Sequence, residues 1–281
     1  MGSSPPRPAA AEPVIRPGEV WLVGAGPGDP ELLTRKAARL IACCDVVFHD
    51  ALVGPGVLAL VPPHVERIGV GKRSGRHSRR QPDINDALTA AALAGRRVVR
   101  LKGGDPSIFG RSTEEMAHLV AQGIRVHVCP GVTAASAAAA SGQVSLTLRG
   151  LARRLTFVTA HARDGEALSL DWPALAAADT TLAIYMGRAA APEIGRNLIA
   201  AGRTGDTPVM VAVDVSLPTE RIIHGRLDAL AFLVAAVSDD DPTLLLIGEA
   251  VAPSPPAPPA ASTDLRRRRP NPASLLLTRK A

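Results

Sequence analysis

An α/β fold of two α/β domains is predicted for this chain of 281 residues. Three observations carry the prediction. Short continuous apolar runs alternate with segments of helical period, several of those runs end in glycine-rich turns, and a basic break interrupts the alternation near RGLARR (149–154). Uninterrupted apolar runs belong to strands covered on both faces, and helices between them point to mostly parallel sheets. The length suits two domains of ordinary size.

Each element follows in order. VWLVGAG (20–26) is β-rich and closes in glycine, and ELLTRKAARLIACC (31–44) carries helical periodicity. DVVF (45–48) and VERIGVG (65–71) read as strands, a helix is expected over about 82–94, and RVVRLKGG (97–104) is the next strand. A helix over about 112–122, the strand VHVCP (126–130) and an Ala-rich helix from about 133 complete the first domain, placed at 17–149. The second domain, 150–251, repeats the style with LTFVTA (155–160), TTLAIYMG (180–187), a helix near 190–201 and TPVMVAVDV (207–215). RIIHG (221–225), a helix near 227–236 and TLLLIGEAV (243–251) close it. Residues 1–16 and 252–281 are rich in Pro and Ala or Arg and read as tails without a core.

The composition excludes several classes. No apolar run approaches the roughly 18 residues of a membrane span, and no secretory leader pattern is present, so a cytoplasmic protein without a membrane partner is expected. Three cysteines, two of them adjacent, offer neither a disulfide framework nor metal-ligand spacing, and no metal is expected. The net charge of +6 raises nucleic acid as a partner. Its distribution argues otherwise: residues 252–281 hold +5, while residues 17–251 balance 24 basic against 24 acidic side chains. Within that neutral body, residues 67–154 carry 15 basic and 5 acidic groups. A basic region inside a neutral body suits a local anionic ligand rather than nucleic acid.

The chemistry should lie in the loops. Ligands of open α/β sheets bind beyond the carboxyl ends of strands, where glycine admits close approach and positive φ. Gly24-Ala25-Gly26 could begin a dinucleotide fingerprint. However, Pro27, Asp29 and Pro30 occupy the turn where free N–H groups should face a pyrophosphate, and proline has none.

VGAGPGDPELLT (23–34), VGKRSGRHS (70–78), VVRLKGGDPSIFGR (98–111), CPGVTAASAAAA (129–140), LDW (170–172) and YMGRA (185–189) together resemble the uroporphyrinogen-III C-methyltransferases of the tetrapyrrole methylase family. The resemblance spans roughly residues 18–250. It implies two α/β domains with S-adenosyl-L-methionine in the cleft between them, a homodimer, and double methylation of uroporphyrinogen III at C-2 and C-7 to precorrin-2. It places Pro27, Gly103, Gly104, Asp105, Ile108, Thr133, Ala134 and Met186 around the cofactor, and makes Asp50 the proton acceptor and Lys72 the proton donor. The substrate bears eight carboxylates, so Arg73, Arg76, His77, Arg100, Arg111 and Arg149 are expected to clamp it, arginine being suited to bidentate pairing. The chain departs from the family pattern at His49, Ala51, Ser112-Thr113, Leu148, Arg79-Arg80 and Asp214-Val215-Ser216. A methylase of a later precorrin and a non-catalytic binding homologue are the alternatives.

Overall fold

A computed structural model of the chain describes residues 14–71, 80–160 and 168–253. Ten strands form two five-stranded sheets. The first is built from β1 (Val20–Gly24), β2 (Val46–His49), β3 (Glu66–Gly69), β4 (Val98–Lys102) and β5 (Val126–Cys129), in the order β3-β2-β4-β1-β5. All its pairs are parallel, as the continuous apolar runs predict.

Helices cover both of its faces. Alternate residues of β1 divide the work: Trp21 and Val23 pack with Ala37, Leu40 and Ile41 of α1 (Arg35–Cys43) and with Val57 of α2 (Pro55–Ala59). Val20 and Leu22 pack on the other side with Ile84 and Leu88 of α3 (Gln81–Leu93) and Leu119 of α4 (Ser112–Ala121). The central strands β1 and β4 thus send the chain to opposite edges of the sheet, which opens a crevice beyond their carboxyl ends.

The helix expected over 31–44 is shorter. Asp29 accepts a hydrogen bond from the Glu31 N–H and caps a 3-10 turn at Pro30–Leu32, after which Thr34 caps α1 by accepting from the Ala37 N–H at 3.1 Å.

The second sheet comprises β6 (Arg154–Thr159), β7 (Thr180–Tyr185), β8 (Pro208–Val213), β9 (Arg221–Arg226) and β10 (Thr243–Ile247), in the order β6-β7-β10-β8-β9. Here the expectation of mostly parallel strands is corrected. Only β6 and β7 run parallel, while β10 is antiparallel to both β7 and β8, and β8 is antiparallel to β9. The reason is burial: β8 and β10 are central and covered on both faces, so they read as continuous apolar runs whatever their direction.

One face packs against Ile194 and Leu198 of α7 (Ala191–Ala200) and Leu230 and Val234 of α8 (Leu230–Ala235). The other face receives Ala135, Ala137 and Ala138 of α5 (Ala134–Ser141), packed on Ala183, Met210, Ala212 and Leu244. A helix of alanines lets backbone approach sheet closely. Gly142 at its end has no room for a Cβ beside the Met210 sulfur. The segment between β5 and β6 therefore serves the second sheet with its α5 face and the first sheet with its entry loop. A short helix, α6 (Trp172–Leu175), begins at the Asp171 cap.

Candidate active site

Three loops meet at the carboxyl ends of β1, β4 and β5, and they are held by backbone. Gly26 and Gly104 exchange hydrogen bonds, Gly26 N–H to the Gly104 carbonyl at 3.2 Å and Gly104 N–H to the Gly26 carbonyl at 2.8 Å. A Cβ on Gly24 would lie 2.5 Å from the Gly131 nitrogen, and one on Gly131 would strike the Gly104 carbonyl oxygen. Glycine is required by this contact of chain on chain. Asp105, 9% exposed, ties the second loop to the third: its carboxylate accepts from the Gly131 N–H at 2.9 Å, the Ser107 N–H at 2.7 Å and the Ser107 hydroxyl. Gly104 has φ 66 and open space before its α-carbon, so the loops leave a bare backbone surface.

The second sheet closes the other side. Met186 follows β7 with φ 56 and is 50% exposed, unlike a core methionine. Thr133 caps α5 by accepting from the Ser136 N–H, and the Tyr185 hydroxyl accepts from the Ala135 N–H at 3.3 Å. Burial pushes the Tyr185 phenol above its usual pKa. Pro27, Gly103, Ile108, Thr133 and Ala134 are half-buried around these loops. The departure Asp214-Val215-Ser216 forms a tight turn with Asp214 at φ 50 and Ser216 at φ 62, and the Ser216 hydroxyl accepts from the Asp29 N–H at 2.9 Å. Residues foreign to the family pattern thus link the first loop to the second sheet.

Beside the loops lies a cavity of ≈ 260 Å³ whose lining includes Asp50, Gly71, Arg100, Lys102, Phe109 and Arg111. Asp50, at the end of β2, has a side chain 28% exposed and ion-pairs with Arg100. Arg100, expected to clamp the substrate, lines the same cavity from a buried position. Its side chain is 3% exposed, and its donors go to Asp50, to Glu115 at 3.2 Å and to the Leu101 carbonyl. Glu115 is fully buried and also accepts from Lys102 at 2.9 Å and from Gln81 at 3.1 Å. Burial, then the neighbouring Arg100 charge, holds the Lys102 ammonium below its usual pKa.

Arg111 lines the cavity from a left-handed backbone (φ 55) and pairs with Glu114 at 2.6 Å in a water-exposed bridge. Arg149 is exposed in the loop between the Leu148–Ala152 bridge residues, well along the chain from this cavity. Lys72, Arg73, Arg76 and His77 lie outside the described residues; the chain enters that stretch at Gly71, whose Cβ would collide with the Ala51 nitrogen.

Lys102, Glu115, Phe109 and Tyr185 were not among the expected site residues. Lys102 and Phe109 stand inside LKGGDPSIFG and Tyr185 inside YMG, so the motifs themselves were the available signal. Glu115 has none, because its role depends on partners from other elements.

Comparison with known proteins agrees with this architecture. A sequence profile of the tetrapyrrole (corrin/porphyrin) methylases matches residues 19–231. A uroporphyrinogen-III C-methyltransferase of Paracoccus denitrificans is 48% identical over 84% of this chain and 82% of its own length. A sirohaem synthase of Pseudomonas fluorescens is 46% identical over 85% of this chain, which spans only about half (52%) of that longer protein. Among solved structures, a uroporphyrin-III C-methyltransferase of Thermus thermophilus complexed with S-adenosylhomocysteine is 40% identical with TM-score 0.71, covering 83% of this chain and 98% of the other. A cobalt-precorrin-4 methyltransferase aligns with TM-score 0.75 at 28% identity, over 84% of this chain and 97% of the other. The two sheets, the glycine loops between them and the extent of these matches agree: the chain belongs to the tetrapyrrole methylase family.

Proposed function

We propose that the chain is a uroporphyrinogen-III C-methyltransferase, using S-adenosyl-L-methionine to methylate C-2 and C-7 of uroporphyrinogen III and so produce precorrin-2 for sirohaem or cobalamin synthesis. One observation carries the reading: the Gly26–Gly104 pairing closes two glycine loops into a backbone surface directly beside the Asp50 cavity. The named relative at 48% identity supports the choice of substrate. The later-precorrin alternative draws on the cobalt-precorrin-4 methyltransferase, whose TM-score is slightly higher but whose identity is only 28% against 40%. Backbone overlap reports the fold, whereas side chains choose the substrate, so identity decides.

The residues fit the cofactor. A bare glycine surface, with Met186 exposed opposite, suits a molecule gripped by backbone groups and apolar contact rather than by ionic side chains. Pro27, Gly103, Gly104, Ile108, Thr133, Ala134 and Met186 would hold it, and Asp105 would keep the loops in register through Gly131 and Ser107. Bound there, S-adenosylmethionine supplies an electrophilic methyl group. The protein's share is positioning and one proton. Asp50, facing the cavity, accepts the proton that the macrocycle releases, and Arg100 holds that carboxylate from beneath. Lys72 as donor and Arg73, Arg76 and His77 as clamps follow directly on the cavity residue Gly71 in sequence, which supports their assignment. Arg111 serves from the cavity wall, and Arg149 from outside it.

A cytoplasmic homodimer without nucleic-acid or membrane partners completes the reading. Three unpaired cysteines, Cys43, Cys44 and Cys129, suit a reducing compartment, and among the described residues no helix is long and apolar enough to cross a membrane. Exposed Leu148, Leu151 and Leu155 offer apolar surface for a second copy. The test is anaerobic incubation with uroporphyrinogen III and isotopically labelled S-adenosylmethionine, read by mass spectrometry. A doubly methylated product is expected. Absence of transfer, or transfer only to a methylated precorrin, refutes the proposal.

A further inference from the structure

We infer that the chain carries a second ligand site on the α1 face of the first sheet, for a small organic polyanion with several phosphate or carboxylate groups on an apolar body. The site shares no lining residue with the Asp50 cavity and goes beyond the methyl transfer proposed above.

The cavity is the first observation. It measures ≈ 470 Å³ and is lined by Val14, Trp21, Arg35, Lys36 and Arg39. Small-molecule sites typically enclose about 300–1,000 Å³. Trp21 is 8% exposed and Val14 half-buried, whereas the three cations are exposed, so an apolar floor lies under a charged rim. The floor is fixed in place. The Trp21 ring stacks on His127 at 4.6 Å and 24°, and the Lys36 ammonium lies 4.3 Å from its centre. The indole N–H is buried at this wall without an acceptor among the described residues.

The placement of charge is the second observation. Arg35 and Lys36 occupy the first turn of α1, which holds no acidic residue. Cations there oppose the helix dipole, and Arg39, four residues from Arg35 and three from Lys36, adds like-charge repulsion on the same face. A helix that had only to cover the sheet with Ala37, Leu40 and Ile41 would be more stable with glutamate in that turn. Nothing within the fold relieves the three charges. Among the described residues none of them pairs with a carboxylate, whereas Arg96, Arg97, Arg154 and Arg221 each do.

An anion in the cavity answers both observations. Two guanidinium groups offer bidentate pairing to phosphate or carboxylate, and Lys36 adds a point charge. The repulsion within α1 then becomes attraction for the ligand. Val14 and Trp21 meet the ligand's apolar body, which distinguishes this site from a merely basic surface.

The test uses the full chain saturated with S-adenosylhomocysteine, so that the cofactor cleft is closed to the probes. Trp172→Phe leaves Trp21 as the one tryptophan, and its fluorescence then reports on the cavity. Calorimetry on the unsubstituted chain reads binding independently of that change. The probes are ATP, benzene-1,3,5-tricarboxylate and tripolyphosphate. Saturable binding of ATP or the tricarboxylate is expected with Kd below about 1 mM. A response to ATP identifies phosphate esters as the class, and a response to the tricarboxylate identifies polycarboxylates. Tripolyphosphate, which lacks the apolar body, should bind at least about tenfold more weakly. The double variant Arg35→Gln, Arg39→Gln should weaken binding by at least about tenfold while leaving Tm unchanged or up to about 4 °C higher. No saturable binding of either organic probe would overturn the inference, as would binding that survives the double variant. Tripolyphosphate binding as tightly as the organic probes would also overturn it, and so would a fall in Tm showing that the arginines serve the fold. None of these readouts involves methyl transfer, so their failure is distinct from failure of the proposed function.

Discussion

Replacing Glu115 by Gln should be among the most damaging single changes of similar shape available in the first sheet. The carboxylate is fully buried and is shared by Arg100 at 3.2 Å and Lys102 at 2.9 Å, with Gln81 at 3.1 Å as a third donor. Arg100 and Lys102 have side chains only 3% and 5% exposed, so water cannot take over the lost charge. With Glu115 and Asp50 present, two cations face two anions. In Glu115→Gln two cations face one, and removing one partner of a buried pair costs about 3–5 kcal/mol. The glutamine oxygen keeps one hydrogen bond, which favours the lower end of that range. For a protein of this size, that loss lowers Tm by on the order of 6–12 °C. The pH dependence has a definite sign. The folded-state pKa of Lys102 already lies below its unfolded value. Its contribution to stability is therefore fully favourable above the unfolded pKa and declines as pH falls through the folded one. Removing the Glu115 charge lowers the folded pKa further, so the deficit of Glu115→Gln should narrow as pH is raised from 7 towards 10. Urea denaturation across that range measures both effects. A loss below about 1 kcal/mol at pH 7, or a deficit widening with pH, would refute the view of Glu115 as the buried counter-charge.

Other outcomes follow from the same geometry. Asp105→Ala leaves the Gly131 and Ser107 N–H groups without their acceptor and should weaken S-adenosylhomocysteine binding by about 1–3 kcal/mol in calorimetry, with far-UV circular dichroism unchanged. Gly131→Ala drives a methyl group into the Gly104 carbonyl and should abolish that binding; measurable affinity would show that the loops are not packed as described. Arg76→Ala, outside the described residues, should raise the KM for uroporphyrinogen III while leaving S-adenosylhomocysteine affinity unchanged, and the reverse pattern would remove it from the substrate side. Burial pushes the Cys44 thiol up to about 12, whereas neighbouring Cys43 is half-buried, so iodoacetamide at pH 8 should label Cys43 well before Cys44, as peptide mass mapping would reveal.

Strand positions were legible because burial on both faces leaves a run of apolar residues, as in VVRLK of β4 and TLLLI of β10. Strand direction was not, because the same run arises in a central antiparallel strand. A signal did exist at one point. Val213 and Arg221 bound a connection too short for a parallel crossover, which needs a dozen or more residues, so β8 and β9 had to be antiparallel. The helix after the first glycine loop was overextended for a comparable reason: helical period continues through ELL, but the Leu33 N–H closes a separate 3-10 turn on the Pro30 carbonyl, and the Thr34 hydroxyl then caps the start of α1.

The candidate site divides along a physical line. Where the backbone forms the surface, sequence is an adequate guide, because only glycine tolerates a neighbouring chain at the distances seen between Gly24, Gly104 and Gly131. Where side chains form it, the residue type can be read but its partner cannot. Arg100 looked like a clamp because arginine in a basic stretch beside a glycine loop suits a carboxylated ligand. Its position as the third residue of β4 places it between Asp50, just past the end of β2, and Glu115 on α4, groups that lie 50 and 15 residues away in the chain. That placement changes the electrostatic role of the basic stretch. Two of its cations, Arg100 and Lys102, are neutralised internally by Asp50 and Glu115. Arg111 is paired as well, with Glu114, but at the surface, where water screens the bridge and an anionic ligand can compete for the guanidinium. The orientation of the Asp50 carboxylate thus depends on an arginine 50 positions away in the chain.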